Sequence, residues 1–156
     1  MSPQELKEGD PAPEIALEDE SGKPTTLSSL RGKTVVLYFY PKADTPGCTK
    51  ESCEFRDASK KFARKDAVIL GVSPDKPAAQ SKFRTKYGLP FTLLADVNHD
   101  AAEAYGVWKE KSMYGKKYMG IERSTFVIGP DGRLLKIFRK VKPEGHADEV
   151  LAALAK

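Results

Sequence analysis

The sequence predicts an α/β fold built on a mixed β-sheet, and three observations carry that prediction. Residues 34–40, TVVLYFY, form a continuous β-branched and aromatic run, as expected of a strand covered on both faces. A second apolar run, AVILGVS at 67–73, follows a stretch with helical signals. Strand, helix and strand in that order make a parallel βαβ unit with a right-handed crossover. Near the end, STFVI (124–128), GPDG (129–132) and RLLKIFR (133–139) spell an antiparallel hairpin around a Pro-Asp-Gly turn.

The remaining elements follow in order. Residues 1–33 read as an irregular lead-in, in which EIALE (14–18) alternates apolar and polar and Thr25 to Leu27 pairs back across a Glu20-Ser21-Gly22-Lys23 turn. Pro41 stops the first buried strand, and PKADTPG (41–47) is loop chemistry. Thr45 then serves as N-cap and Pro46 as first residue of a helix running to about Arg64. Cys48, Ser52, Phe55, Ser59 and Phe62 share one stripe of it. Residues 77–87 read as a helix closed by Gly88, 91–95 as a strand, and Ala101 to Tyr105 as a short helix ending at Gly106. Residues 107–120 show no clear period and read as loop. A last helix places Ala147, Val150, Leu151 and Leu154 on one face.

Composition narrows the functional classes. The 156 residues fit one domain spanning 1–156, and 40% apolar with 31% charged residues is a globular balance. No apolar run approaches the roughly 20 residues that cross a bilayer, so no membrane association is expected. The opening MSPQELKEGDPAPE has no basic segment before an apolar one, which makes a cytoplasmic address the expectation. The net charge of +4 is spread among interspersed acids, unlike a nucleic-acid-binding face. Two cysteines are too few for a disulfide scaffold.

The chemistry sits in Pro41-x-x-x-Thr45-x-x-Cys48. This spacing puts a thiol in the first turn of a helix, just beyond the C-terminal end of a buried strand, where open α/β sheets place their sites. Unpaired N–H groups in that turn favour thiolate, the nucleophilic form. The Thr45 hydroxyl is placed to cap the Cys48 amide or to bond a bound oxygen. Pro41 and Pro46 stiffen the loop. Taken alone, Cys48 also reads as a small buried hydrophobe, Thr45 as a plain N-cap and Pro41 as a strand terminator. A metal site would need further soft ligands, and His99 and His146 lie far away in sequence and read as surface residues. No cofactor is expected. Cys48 and Cys53, five apart on an intact helix, would have Cα atoms about 8.6 Å apart. A disulfide needs less than about 7 Å, so joining them requires the first turns to unwind.

The Pro41-x-x-x-Thr45-x-x-Cys48 motif resembles the peroxiredoxin signature, and YFYPKADTPGCTKESCEFRD looks like the bacterioferritin comigratory protein, or peroxiredoxin Q, subgroup. GDPAPEIAL (9–17), GVSPD (71–75) and RSTFVIGPDG (123–132) extend the resemblance over nearly the whole chain. It implies a thioredoxin-like fold, with helices on both faces of the mixed sheet. It implies a thiol peroxidase acting on hydrogen peroxide and organic hydroperoxides. Cys48 would be the peroxidatic cysteine, with Pro41, Thr45 and Arg123 completing the site and Cys53 resolving through a Cys48–Cys53 disulfide. It further implies a monomer reduced by thioredoxin or glutaredoxin. On the residues alone, Arg123 precedes a central strand, from which its guanidinium could reach Cys48; it also reads as an ordinary surface arginine.

Two other functions fit the same fold. A thioredoxin-type disulfide reductase uses C-x-x-C at the helix start and a proline before the hairpin strand; here the spacing is C-x4-C and Arg123 takes the second place. A redox switch would use disulfide closure to expose Phe55 and Phe62 to a partner; single-event reaction rather than turnover distinguishes it.

Overall fold

The computed structural model describes residues 6–154, so residues 1–5 of the expected lead-in lie outside the described residues. Strands β1 (Ala16–Asp19) and β2 (Pro24–Thr26) pair antiparallel across the expected turn, Leu17 facing Thr25. The buried run forms β3 (Thr34–Phe39). Helices α1 (Pro46–Asp57) and α2 (Ser59–Arg64) cross to β4 (Ala67–Ser73). Then come α3 (Pro77–Tyr87), β5 (Thr92–Ala95) and α4 (Asp100–Ala104). The chain continues through β6 (Trp108–Met113), β7 (Lys116–Ile121), β8 (Ser124–Ile128), β9 (Leu134–Phe138) and α5 (His146–Ala153).

Seven strands form one sheet in the order β2-β1-β5-β4-β3-β8-β9. β3, β4 and β5 run parallel, while β8 pairs antiparallel with β3 and β9 with β8, so the sheet is mixed as expected. The side-chain period of two splits β3 between two cores. Val35, Leu37 and Phe39 join Ala101 and Ala102 of α4 on one face. Val36 and Tyr38 join Phe55, Phe62, Phe83 and Val150 of α1, α2, α3 and α5 on the other. Burial on both faces is why this strand carries no polar residue after Thr34. Tyr38 stacks on Phe55 at 4.8 Å, and Phe55 lies 5.7 Å from Phe62.

Three expectations are corrected. The helix expected to run unbroken to Arg64 divides at Ala58, whose backbone (φ −93°, ψ 1°) sits between helical and extended geometry. Ala58 at the break and Phe62 one turn beyond it are both buried. Residues 107–120 are not a loop: β6 and β7 form a separate antiparallel hairpin, with Lys111 opposite Tyr118. Its turn uses positive φ at Tyr114 and Gly115, the pattern that matches strand twist in two-residue hairpins. His146 is buried rather than superficial. One ring nitrogen bonds Thr125 Oγ1 at 2.7 Å and the other Glu149 at 2.9 Å, between the rings of Phe55 and Phe138.

Phe55 joins Tyr38, Phe62 and His146, so Phe55→Ala is expected to cost about 3–5 kcal/mol. Urea unfolding of the reduced protein measures it; a loss below about 1 kcal/mol would place Phe55 outside the stabilising core.

Candidate active site

The loop joining β3 to α1 is fastened before it reaches the helix. Asp75, following β4, accepts from the Ala43 amide at 2.7 Å and from Ser73 Oγ at 2.6 Å. Asp44, at φ 61°, accepts from Lys86 Nζ at 2.9 Å and Tyr87 Oη at 2.7 Å, both on α3. Pro41 stands half-buried directly after Tyr40. Thr45 has the extended backbone of an N-cap, its carbonyl accepts from the Thr49 amide at 2.8 Å, and Pro46 opens α1.

The Thr45 hydroxyl departs from one of its two expected roles. It donates to the Lys42 carbonyl at 2.7 Å and does not cap the Cys48 amide. The left-handed turn at Asp44 folds the loop back and brings that carbonyl within reach. The hydroxyl oxygen keeps acceptor capacity. The Cys48 amide makes no backbone hydrogen bond among the described residues, as a first-turn donor of a helix is free to do.

Cys48 is buried, and its sulfur meets the expected arginine: Arg123 Nη2 lies 3.3 Å from Sγ. Arg123 sits between β7 and β8, where the β3–β8 pairing of Phe39 with Ser124 aligns it with the start of α1. Its second arm donates to Glu51 Oε1 at 2.7 Å. Gly47 leaves room for this: a Cβ there would approach Nη2 to 3.1 Å. Burial works against the guanidinium's charge, but Glu51 and Cys48 outweigh it and hold its pKa above the ordinary value.

Glu51 is not among the residues that the motif points to. Its signal was an acid three residues after Cys48, on the same buried helical face. Its side chain is fully buried and Oε2 has no hydrogen-bond partner among the described residues. Burial pushes its carboxyl up to about 7, against the pull of Arg123. Cys53 is half-buried on α1, and both cysteines are thiols. α1 is intact across the pair. Among the described residues no three or more His, Cys, Asp and Glu side chains cluster to hold a metal, and no helix is long and apolar enough to cross a membrane.

The chemistry of this arrangement is that of a positioned sulfur nucleophile with a cation and free N–H donors around it. The AhpC/TSA family matches residues 8–137. The chain belongs to that family. It is 53% identical to peroxiredoxin Bcp of Bacillus subtilis, over 94% of this chain and 93% of the relative. A cysteine-to-serine mutant of Xylella fastidiosa PrxQ superposes with a TM-score of 0.92 at 38% identity, covering 97% of each chain. The bacterioferritin comigratory protein of Xanthomonas campestris, studied for alkyl peroxide reduction, superposes at 0.86 with 45% identity, covering 90% of this chain and 89% of its own. The thioredoxin-like fold and the peroxiredoxin Q subgroup are thereby shown, and this peroxiredoxin is a thiol peroxidase.

The raised Glu51 carboxyl has a stability signature. Between pH 4.5 and about 7 the unfolded chain releases this proton while the folded one keeps it. The contribution is full below 4.5 and lost as pH rises through about 7. Relative to Glu51→Gln, the protein should lose on the order of 1–3 kcal/mol across that window. Denaturant midpoints of both proteins at several pH values measure it; a constant difference would mean that Glu51 titrates as in the unfolded chain.

Proposed function

We propose that Cys48 is the peroxidatic thiol of this enzyme and that Cys53 resolves its oxidised form. The carrying observation is Cys48 Sγ, buried at the start of α1 with Arg123 Nη2 at 3.3 Å. The thiolate attacks the terminal oxygen of a hydroperoxide in line with the O–O bond. The S–O bond forms, the O–O bond breaks with its electron pair going to the leaving oxygen, and that oxygen takes a proton from solvent and departs as alcohol or water, leaving a Cys48 sulfenic acid. Arg123 and the Cys48 amide hold the oxygens and stabilise the charge that develops between them. Thr45 offers its hydroxyl oxygen to the peroxide hydrogen. Pro41 shields the sulfur from water and fixes the loop. Glu51 orients the Arg123 fork by holding its other arm.

Cys53 then attacks the sulfenic sulfur, releasing water and forming the Cys48–Cys53 disulfide. The intact helix keeps the two residues about 8.6 Å apart, so the turns between them must unwind first. A dithiol reductant, thioredoxin or a glutaredoxin, restores both thiols by exchange. That requirement fits a reducing compartment such as the cytoplasm. The similarity to the Xanthomonas protein supports organic hydroperoxides beside hydrogen peroxide as substrates. The exposed large apolar side chains lie on separate elements, except for the β6–β7 hairpin, which suits a monomer.

The test is stopped-flow mixing of reduced protein with stoichiometric hydrogen peroxide. Peroxide loss should be fast in the wild type and should vanish in Cys48→Ser. Reaction no faster than that of a free cysteine, in both proteins, would sink the peroxidatic assignment. Cys53→Ser should consume one equivalent and then depend on an added small thiol. Sustained turnover of that variant with thioredoxin at the wild-type rate would remove Cys53 from the cycle.

A further inference from the structure

Ser52 lies in α1 directly before Cys53 and one turn after Cys48. It is polar, yet it is fully buried. Its hydroxyl shares a 2.8 Å hydrogen bond with Tyr38 Oη of β3, which is also fully buried. Neither hydroxyl has another hydrogen-bond partner among the described residues. The Tyr38 ring is fixed by more than this bond. It stacks on Phe55 at 4.8 Å and on Tyr40 at 5.4 Å, and it meets Phe91 edge-on at 5.9 Å. Gly71 of β4 pairs opposite Tyr38, and a Cβ there would meet Tyr38 Oη at 2.9 Å. The hydroxyl thus ends in a space that fits it closely, with one partner, and that partner is on the helix of the two cysteines.

Beyond Cys53 this helix is tied down. Glu54 Oε1 accepts from the Gly145 amide at 2.8 Å, and Arg56 Nη1 donates to the Tyr87 carbonyl at 2.8 Å. In the proposed cycle, joining Cys48 to Cys53 therefore uses the turns before Glu54, and Ser52 is in them. As those turns unwind, Ser52 carries its hydroxyl toward water. Tyr38 keeps its own in the core with nothing to bond, which is the costly half of a broken buried pair. We propose that Tyr38 is a positioning residue for the resolving step: its hydrogen bond to Ser52 holds the Cys48–Cys53 turns helical and so sets how long oxidised Cys48 waits for Cys53. This rests on the peroxidatic role of Cys48 and the resolving role of Cys53.

Two reactions of the sulfenic acid compete during that wait. In one, the Cys53 thiolate attacks the Cys48 sulfur, the S–S bond forms, and the S–O bond breaks, its hydroxide taking a proton and leaving as water. In the other, the Cys48 sulfenate attacks a second hydroperoxide. A second S–O bond forms, the O–O bond breaks, the leaving oxygen takes a proton from solvent, and Cys48 becomes a sulfinic acid. Only the first reaction needs α1 to open. The Tyr38–Ser52 bond therefore slows resolution without entering the peroxide attack, which takes place on the closed helix.

Tyr38→Phe keeps the ring and removes the hydroxyl, while Ser52 can turn its own to the carbonyl one turn back. Rapid quenching with a thiol-alkylating reagent, read by intact mass, follows the sulfenic acid and its conversion to disulfide. Tyr38→Phe should form the sulfenic acid within about twofold of the wild-type rate and the disulfide about fivefold faster or more. It should also need more hydroperoxide, in the same proportion, to reach the sulfinic form. Ser52→Ala reads the same contact from the other side, and should accelerate the disulfide by less because alanine favours the helix. The double variant should be no faster than Tyr38→Phe, since both changes remove one contact. Leu134→Ala, in the core on the other face of the sheet, weakens the fold away from α1 and should leave the disulfide rate within about twofold. An unchanged disulfide rate in Tyr38→Phe and Ser52→Ala, accelerations that multiply in the double variant, or equal acceleration by Leu134→Ala would overturn the Tyr38 role alone. Cys48→Ser and Cys53→Ser are run alongside to identify the disulfide. If the wild type formed no Cys48–Cys53 disulfide, the resolving reading and the Tyr38 role would fall together.

Discussion

The Arg123 guanidinium is the constraint around which the site is arranged. It joins three stretches of chain: the start of α1 through Cys48 and Glu51, the loop after β7 that carries it, and β8, whose register against β3 fixes its height. Side-chain exposure is 14% for Arg123 and 0% for Glu51, so the pair has lost most of its hydration. A buried ion pair gains little net stability, because desolvation offsets the attraction; removing one partner alone costs several kcal/mol. The Arg123–Glu51 pair therefore contributes orientation more than stability. The Arg123 arm on sulfur is placed by the arm on carboxylate, and Gly47 is small so that the fork can pass.

Much of the fold was legible because its strands and helices bury continuous or periodic apolar faces. β3, β4, α3 and the β8–β9 hairpin lie where the pattern puts them. What was not legible depends on tertiary contacts. The β6–β7 hairpin is exposed along most of both strands, so it has no inside to write an alternation, and its Tyr-Gly turn lacks the usual Asn or Asp. The division of the helix at Ala58 has no breaker residue to announce it. His146 opens a helix, as surface residues often do, and only the closure of Phe55, Phe138 and Thr125 around it makes it interior.

The candidate site was legible through its spacing: Thr45 stands at the N-cap and Cys48 in the first turn of α1, and Arg123 reaches the sulfur. Composition and periodicity could not tell Arg123 from a surface arginine; the resemblance did. Glu51 had only a weak signal, its place three residues after Cys48, because an acid on a charged amphipathic helix is ordinary until its burial is known.

α1 carries opposing demands. Its first turn is helical and holds Cys48 against Arg123, and in the proposed cycle the same turns open for Cys53 to reach it. Opening would break the buried 2.8 Å hydrogen bond between Ser52 and Tyr38, leaving the Tyr38 hydroxyl in an apolar core at about 1–3 kcal/mol. Beyond it the helix is held by Phe55, by Glu54 on the Gly145 amide at 2.8 Å, and by Arg56 on the Tyr87 carbonyl at 2.8 Å.

The break at Ala58 bears on how far such an opening spreads. Helical order is cooperative along an uninterrupted run of i to i−4 hydrogen bonds, and a residue outside helical geometry ends that run. Had residues 46–64 formed one rod, loss of its first turns would have tugged on Phe62 and on the crossover into β4. With the joint at Ala58, α2 belongs mechanically to the sheet and α1 to the sulfur chemistry. Under the proposed cycle, oxidation would then refold the 12 residues of α1 while the strand order, and the handedness of the βαβ crossover, stay indifferent to the redox state of the molecule.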